Sequence, residues 1–198
     1  MARFKKFIEA DVVAEGKRRL HHIFDTFDTP VVCFSGGKDS LVCLELTWRV
    51  AQERGLKHVN VVFRDEELIP DTVINFVDEY RQKSWVKMQW FCVPLQSEKF
   101  ILGKRISYVQ WDRDRQWVRQ KPAWGISLPE DKYRVLTQYN CDAFCAQPYK
   151  GAVAFITGVR AAESLVRYRS VVNKLNDNYI CKAADSGKSR IRLCKPIY

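Results

Sequence analysis

The chain of 198 residues predicts an α/β fold, a parallel twisted sheet with helices on both faces and one Trp/Arg-rich insertion. Short apolar runs alternate with longer amphipathic stretches, the pattern of βαβ units. Polar clusters follow three of the runs directly, and ligands of such sheets sit at the carboxyl ends of the strands. A third observation sets the insertion apart: residues 103–150 break the alternation and concentrate Trp, Arg and Asp.

The elements follow in order. Residues 9–27 predict an amphipathic helix with Val12, Val13, Leu20, Ile23, Phe24 and Phe27 on its apolar face. Residues 30–34 predict the first strand. Residues 40–54 predict a helix carrying Leu41, Leu44, Leu46, Trp48 and Val50, and Gly55 is a suitable stop. A second strand is expected at 59–63, a helix opening at Pro70 and reaching about Gln82, and a third strand at 86–93. After the insertion come a fourth strand at 153–157 and a fifth at 191–194. No window approaches the ~18 apolar residues of a membrane span, and no signal peptide is read at the N-terminus. Seven cysteines without a CxxC pair fit reduced thiols and a cytoplasmic location better than a disulfide framework.

The formal charge is +10, and residues 158–198 hold nine Lys/Arg against three acids, a net +6. Such an excess suits an anionic partner, either a phosphorylated nucleotide or a nucleic acid, and equally a solvated basic surface.

The hexapeptide Ser35-Gly36-Gly37-Lys38-Asp39-Ser40 lies between the first strand and the following helix. Glycines there let an anion approach the backbone, the helix N-terminus adds positive potential, Lys38 adds a charge, and Ser35 and Ser40 offer hydroxyl donors. The set predicts a phosphate, pyrophosphate or sulfate site. It lacks the spacing of a Walker A loop. A plain turn capped by Asp39 or Ser40 would explain one hydroxyl or carboxylate and not all six residues.

This hexapeptide resembles the PP-loop of the ATP pyrophosphatase and phosphoadenosine-phosphosulfate (PAPS) reductase superfamily. The segment from Phe63 through Asp65 to Asp78 is similar to that family's second strand and helix. The block Gly158-Val159-Arg160, continuing through Glu163 and Ser164 to Arg167, resembles its later arginine motif. Residues 90–95 and 111–124 look more specifically like the immunoglobulin-binding regulator A subgroup of bacteria and phages, often found beside a ParB-like partner. The resemblance implies an adenine nucleotide alpha hydrolase-like fold in one domain, 1–198. Its parts would be a nucleotide-binding core at 29–102, an insertion or lid at 103–150, and a second half of the core at 151–198. In that reading Ser35, Gly36, Gly37, Lys38, Asp39 and Ser40 hold the phosphates of ATP or PAPS. Phe63 and Asp65 line the adenosine, and Gly158, Arg160, Ser164 and Arg167 reach the anionic end. Lys38, Asp39 and Arg160 would carry catalysis by positioning and charge neutralisation. Mg2+ would be held by Asp39 or Asp65. No resident metal is assigned to the chain.

The sequence departs from that family in places. The redox cysteine of a Glu-Cys-Gly-type tail is missing, and the chain ends where a Pro-[LI]-x-Asp-Trp segment commonly continues, so it reads as a short version or a fragment. Cys141 and Cys145 stand one helical turn apart while Cys181 and Cys194 are scattered, so an iron–sulfur cluster is not expected. Trp111, Trp117 and Trp124, interleaved with Arg113, Arg115 and Arg119, suit either base stacking or a packed lid. Three functions compete: adenylation or sulfur transfer by an enzyme, a nucleotide-binding regulator acting with a ParB-like, DNA-associated partner, and a sulfur-inserting DNA-modification component.

Overall fold

The computed structural model describes residues 9–169, 179–185 and 189–197; Lys174, Asp177 and Lys188 of the basic stretch lie outside the described residues. The five expected strands are present as β1 (Thr29–Cys33), β2 (Val59–Arg64), β3 (Val86–Phe91), β6 (Gly151–Ile156) and β8 (Ser189–Cys194). They form one parallel array, with an antiparallel edge strand β7 (Ile180–Asp185), in the order β3-β2-β1-β6-β8-β7. The chain runs outward from β1 to β2 and β3 and returns on the other side of β1 as β6. Strand order therefore reverses between β1 and β6, where a crevice opens at the carboxyl ends.

Helix α1 (Val12–Thr26) starts at Asp11, whose carboxylate accepts from the Val13 and Ala14 amides at 3.2 and 3.1 Å. Helix α2 (Lys38–Glu53) ends just before Gly55, which takes the left-handed conformation at φ 72°. Helix α3 (Asp71–Arg81) begins after Pro70.

Strand parity sorts the core into two layers. Val32, Val61, Phe63, Ala154 and Ile156 pack with residues of α1, α2 and α3, including Leu20, Ile23, Leu44 and Val77. Their neighbours Val31, Val62, Val153, Phe155 and Ile191 pack with Leu136 and with Cys141 and Cys145 of α4 (Gln138–Cys145). Helices thus cover both faces, as expected.

The excursion from the sheet begins at Leu95, ahead of residue 103. Strands β4 (Leu95–Ile101) and β5 (Lys104–Gln110) form a hairpin separate from the main sheet. The following chain returns to the edge of β3: the Ile126 amide donates to Trp90 O at 2.7 Å, and the Cys92 amide donates to Ile126 O at 2.8 Å. This covers an edge that would otherwise present unpaired backbone groups.

Two buried acids after β2 hold the Trp/Arg-rich segment in place. The Asp65 carboxylate accepts from Trp90 Nε1 at 2.9 Å, from the Glu67 amide at 2.9 Å and from Arg119. The Glu67 carboxylate accepts from the Trp111 and Val118 amides at 2.6 and 3.0 Å and from both Nη atoms of Arg115 at 2.9 and 2.5 Å. Trp111 is buried, and its face is met by the Arg119 guanidinium at 4.9 Å. Trp117 donates to Asp112 O at 2.7 Å. Of the two readings of this segment, packed structure is the one observed at Trp111 and Trp117. Among the described residues, no helix is long and apolar enough to cross a membrane.

Candidate functional site

A cleft of ≈ 470 Å³ opens at the reversal point and is walled by the ends of β1, β2 and β6. Ser35, Gly37, Lys38, Asp39 and Ser40 line one side, and Thr157, Gly158, Val159, Glu163 and Arg167 the other. Arg64 and Glu66 close it at β2, and Cys33 and Phe34 form its base.

Backbone needs explain the glycines. Gly36 has φ +75°, and a Cβ there would meet Val73 Cγ1 at 2.6 Å and Val77 Cγ2 at 2.9 Å, so it serves the packing of the loop on α3. Gly37 is the N-cap of α2 and brings no side-chain acceptor. The amides of Lys38, Asp39 and Ser40 open the helix and have no intrahelical partner by geometry. A Cβ on Gly158 would lie 2.5 Å from Asp39 C and 2.6 Å from Ser40 N. Only glycine lets the loop after β6 rest on the first turn of α2, so Gly158 sets the spacing of the two walls.

The two serine hydroxyls are used inside the loop. Ser40 Oγ donates to Gly37 O at 2.8 Å and accepts from the Ser35 amide at 3.2 Å. With that proton committed, Ser35 Oγ donates to Ser40 Oγ at 3.0 Å. Here both hydroxyls shape the turn. Lys38 and the first amides of α2, at the positive end of a 16-residue helix dipole, supply the attraction for an anion.

Arg160 does not itself line the cleft; its Nε donates to Asp39 Oδ2 at 3.1 Å, an ion pair tying the loop after β6 to the first turn of α2. Glu163 accepts from the Arg160 amide at 3.0 Å and from Arg167. The Arg160 amide and the Arg167 guanidinium hold the Glu163 carboxyl below its ordinary range. Ser164 Oγ accepts from the Arg167 amide at 3.2 Å, so it supports Arg167 and does not itself line the cleft.

Phe63 and Asp65 lie elsewhere. Phe63 is buried edge-on against Trp90 at 4.5 Å, and Asp65 is committed to the contacts described above. Parity is the reason: a strand's alternate side chains face opposite ways, so Val62 and Arg64 take the cleft side. That parity was the signal in the sequence for Arg64 and, continuing past the strand, for Glu66. No residue of 103–150 lines the cleft. The insertion reaches it through α4, where Asp142 Oδ1 accepts from Arg64 Nη1 at 3.0 Å. Burial opposes the Arg64 charge, and the Asp142 carboxylate together with the neighbouring Cys141, Cys33 and Cys145 more than offsets it, so Arg64 stays cationic.

Cys33 is the thiol at the cleft base, and burial pushes it up to about 12. It is therefore protonated at neutral pH and a poor nucleophile. Cys141 and Cys145 are both buried, one turn apart on α4. Among the described residues there is no group of three or more His, Cys, Asp or Glu placed to hold a metal.

The model of the phosphoadenosine phosphosulfate reductase domain family matches residues 29–183. An Escherichia coli (strain K12) protein, uncharacterized protein YbdN, is 26% identical over 181 residues, covering 87% of this chain and 44% of that protein. Among solved structures, FMN adenylyltransferase of Candida glabrata superposes with TM-score 0.56 at 14% identity, over 98% of this chain and 54% of that one. The same enzyme with FAD and inorganic pyrophosphate gives 0.53 at 15% identity, over 96% and 55%. Yeast FAD synthetase in complex with FAD gives 0.50 at 12% identity, over 98% and 57%. At these identities the structures show a shared fold. The chain spans about half the length of the proteins it matches.

Proposed function

Because the chain belongs to the phosphoadenosine phosphosulfate reductase domain family, we propose that it binds ATP in this cleft and transfers the adenylyl group with release of pyrophosphate. The carrying observation is the uncapped first turn of α2 beside Lys38, facing Arg167 across a cleft of ≈ 470 Å³. That volume suits one nucleotide. The α2 amides and Lys38 neutralise the leaving pyrophosphate. The walls tied by Gly158 hold the α-phosphorus open to an acceptor, and an acceptor oxygen forms the new P–O bond as the bond to pyrophosphate breaks.

Of Asp39 and Asp65, Asp39 is the one that lines the cleft and would hold Mg2+ with the nucleotide. Asp65 is buried and fully hydrogen-bonded to protein. Mg2+ would supply charge neutralisation at the phosphates.

The structural neighbours support this choice over sulfonucleotide reduction, since their names state adenylyl transfer to FMN. The alternative reading is a nucleotide-binding regulator of the immunoglobulin-binding regulator A subgroup, acting with a ParB-like partner. In it the hairpin β4–β5, whose Leu102 is fully solvent-exposed, offers that partner a surface.

The test is pyrophosphate release from ATP by the purified chain, with Lys38→Ala alongside. Lys38→Ala is expected to weaken ATP about tenfold, the effect of losing one charge-assisted contact to phosphate. Release of orthophosphate in place of pyrophosphate, or an unchanged affinity in Lys38→Ala, contradicts the proposal.

A further inference from the structure

The cleft crosses the edge of the sheet. Its phosphate end lies on the face covered by α1, α2 and α3. Its other end lies at Arg64, which shares strand parity with Val62 and is held from the opposite face by α4. A single nucleotide fills a space of ≈ 470 Å³, so with the phosphates on α2 the end at Arg64 receives the base.

The groups there have a chemistry suited to a base. Arg64 Nη1 donates to Asp142 Oδ1 at 3.0 Å. Gln138, turned so that its carbonyl oxygen faces Arg64, accepts from Nη2 at 3.2 Å. Both acceptors lie on α4 and fix the guanidinium plane, and the Asp142 carboxylate balances its charge. A guanidinium has five N–H donors, these acceptors leave some of them over, and Arg64 lines the cleft. Glu66 lines the same end two residues on and is exposed, and its carboxylate has no hydrogen bond or ion pair to protein among the described residues. Side chains two residues apart on an extended chain stand roughly 7 Å apart and flank an object the width of a base edge. A neutralised donor beside a free acceptor complements a neutral edge that itself carries an acceptor and a donor. The amino edge of adenine, ring nitrogen beside N6–H2, is such an edge.

We propose that Arg64 and Glu66 are the base-specificity residues of the site, Arg64 donating to a ring nitrogen of adenine and Glu66 accepting from its exocyclic amine. Asp142 and Gln138 are positioning residues that act through Arg64, which gives the insertion a part in nucleotide choice. This inference rests on the phosphate assignment proposed above.

The experiment is calorimetric titration with Mg2+ and, separately, ATP, inosine triphosphate, GTP and pyrophosphate. It uses the wild-type chain, Glu66→Ala, Arg64→Lys and Lys38→Ala. Glu66 is exposed, so its truncation leaves the fold intact, and Arg64→Lys keeps a cation facing Asp142. Wild type is expected to prefer ATP to inosine triphosphate about tenfold, the discrimination available from one hydrogen-bonded edge. Glu66→Ala should lose most of that preference by binding ATP about tenfold more weakly, with pyrophosphate unchanged. Arg64→Lys should weaken ATP and leave pyrophosphate unchanged. An ATP to inosine triphosphate ratio equal in wild type and Glu66→Ala, or GTP binding as tightly as ATP, overturns the base assignment alone. A wild-type chain that binds neither pyrophosphate nor ATP, or Lys38→Ala binding both as wild type does, overturns the phosphate assignment and this one with it.

Discussion

Replacing Gly158 by alanine is expected to lower nucleotide affinity roughly hundredfold, the usual consequence of displacing one wall of a site by about 1 Å. The new Cβ would fall 2.5 Å from Asp39 C and 2.6 Å from Asp39 O, against backbone that cannot rotate away. Either the loop after β6 lifts or α2 shifts at its first turn. Lifting separates Arg160 from Asp39 and carries Val159, Glu163 and Arg167 outward. The steric cost is about 2 kcal/mol of stability, typical of forcing an extra methyl into a filled space. In a chain of this size that lowers Tm by about 4–8 °C. Calorimetric titration and a thermal melt on the same sample read both effects. Unchanged affinity in a folded Gly158→Ala would show that the spacing of the walls does not control the site.

The second large effect is expected at Glu67, far from any phosphate. Its carboxylate is buried, and with four hydrogen bonds it ties the end of β2 to the Trp111–Val118 chain. Glu67→Gln turns an acceptor with two oxygens into a group with one, and sets an NH2 against existing donors. About 3 kcal/mol should be lost, because buried donors are left without acceptors. The pH dependence has a fixed sign. Arg115 and the two backbone amides outweigh burial and hold the Glu67 carboxyl below its ordinary value of 4.5. A depressed folded pKa stabilises above the unfolded value and is lost as pH falls through the folded one. The wild-type chain should therefore lose this contribution below about pH 4.5, and Glu67→Gln should show a flatter acid limb. Amide exchange should quicken at Trp111 and Val118 in the variant. An acid limb as steep as wild type would show that Glu67 does not hold the segment.

Much of this architecture can be read from residues. The strands announce themselves because β1, β2 and β6 are buried on both faces, and burial on both faces demands continuous apolar runs such as Val31-Val32 and Val61-Val62-Phe63. The loop after β1 is legible because glycine, lysine and a helix start coincide. The hairpin β4–β5 was missed because Gln96, Glu98, Arg105 and Ser107 put polar groups throughout two strands that bury little. Helix α4 was missed for a related reason: its buried residues are Cys141, Asp142 and Cys145, which do not read as an apolar stripe. Within the site, Lys38, Asp39, Gly158 and Arg167 fall where the motifs placed them. Phe63 and Asp65 do not, since motif spacing says which strand end is used and parity says which side chains face the ligand. The serine hydroxyls illustrate a limit of another kind, because the competition between loop and phosphate for a hydroxyl is decided by geometry that sequence does not carry.

The measurement that bears most directly on the central claim is an amide NMR titration of the labelled chain with ATP and Mg2+. The account predicts the largest shifts at the amides of Gly37, Lys38, Asp39 and Ser40, with smaller ones at Gly158 and Val159. Binding that leaves those four amides unmoved, or no binding at millimolar nucleotide, would contradict it.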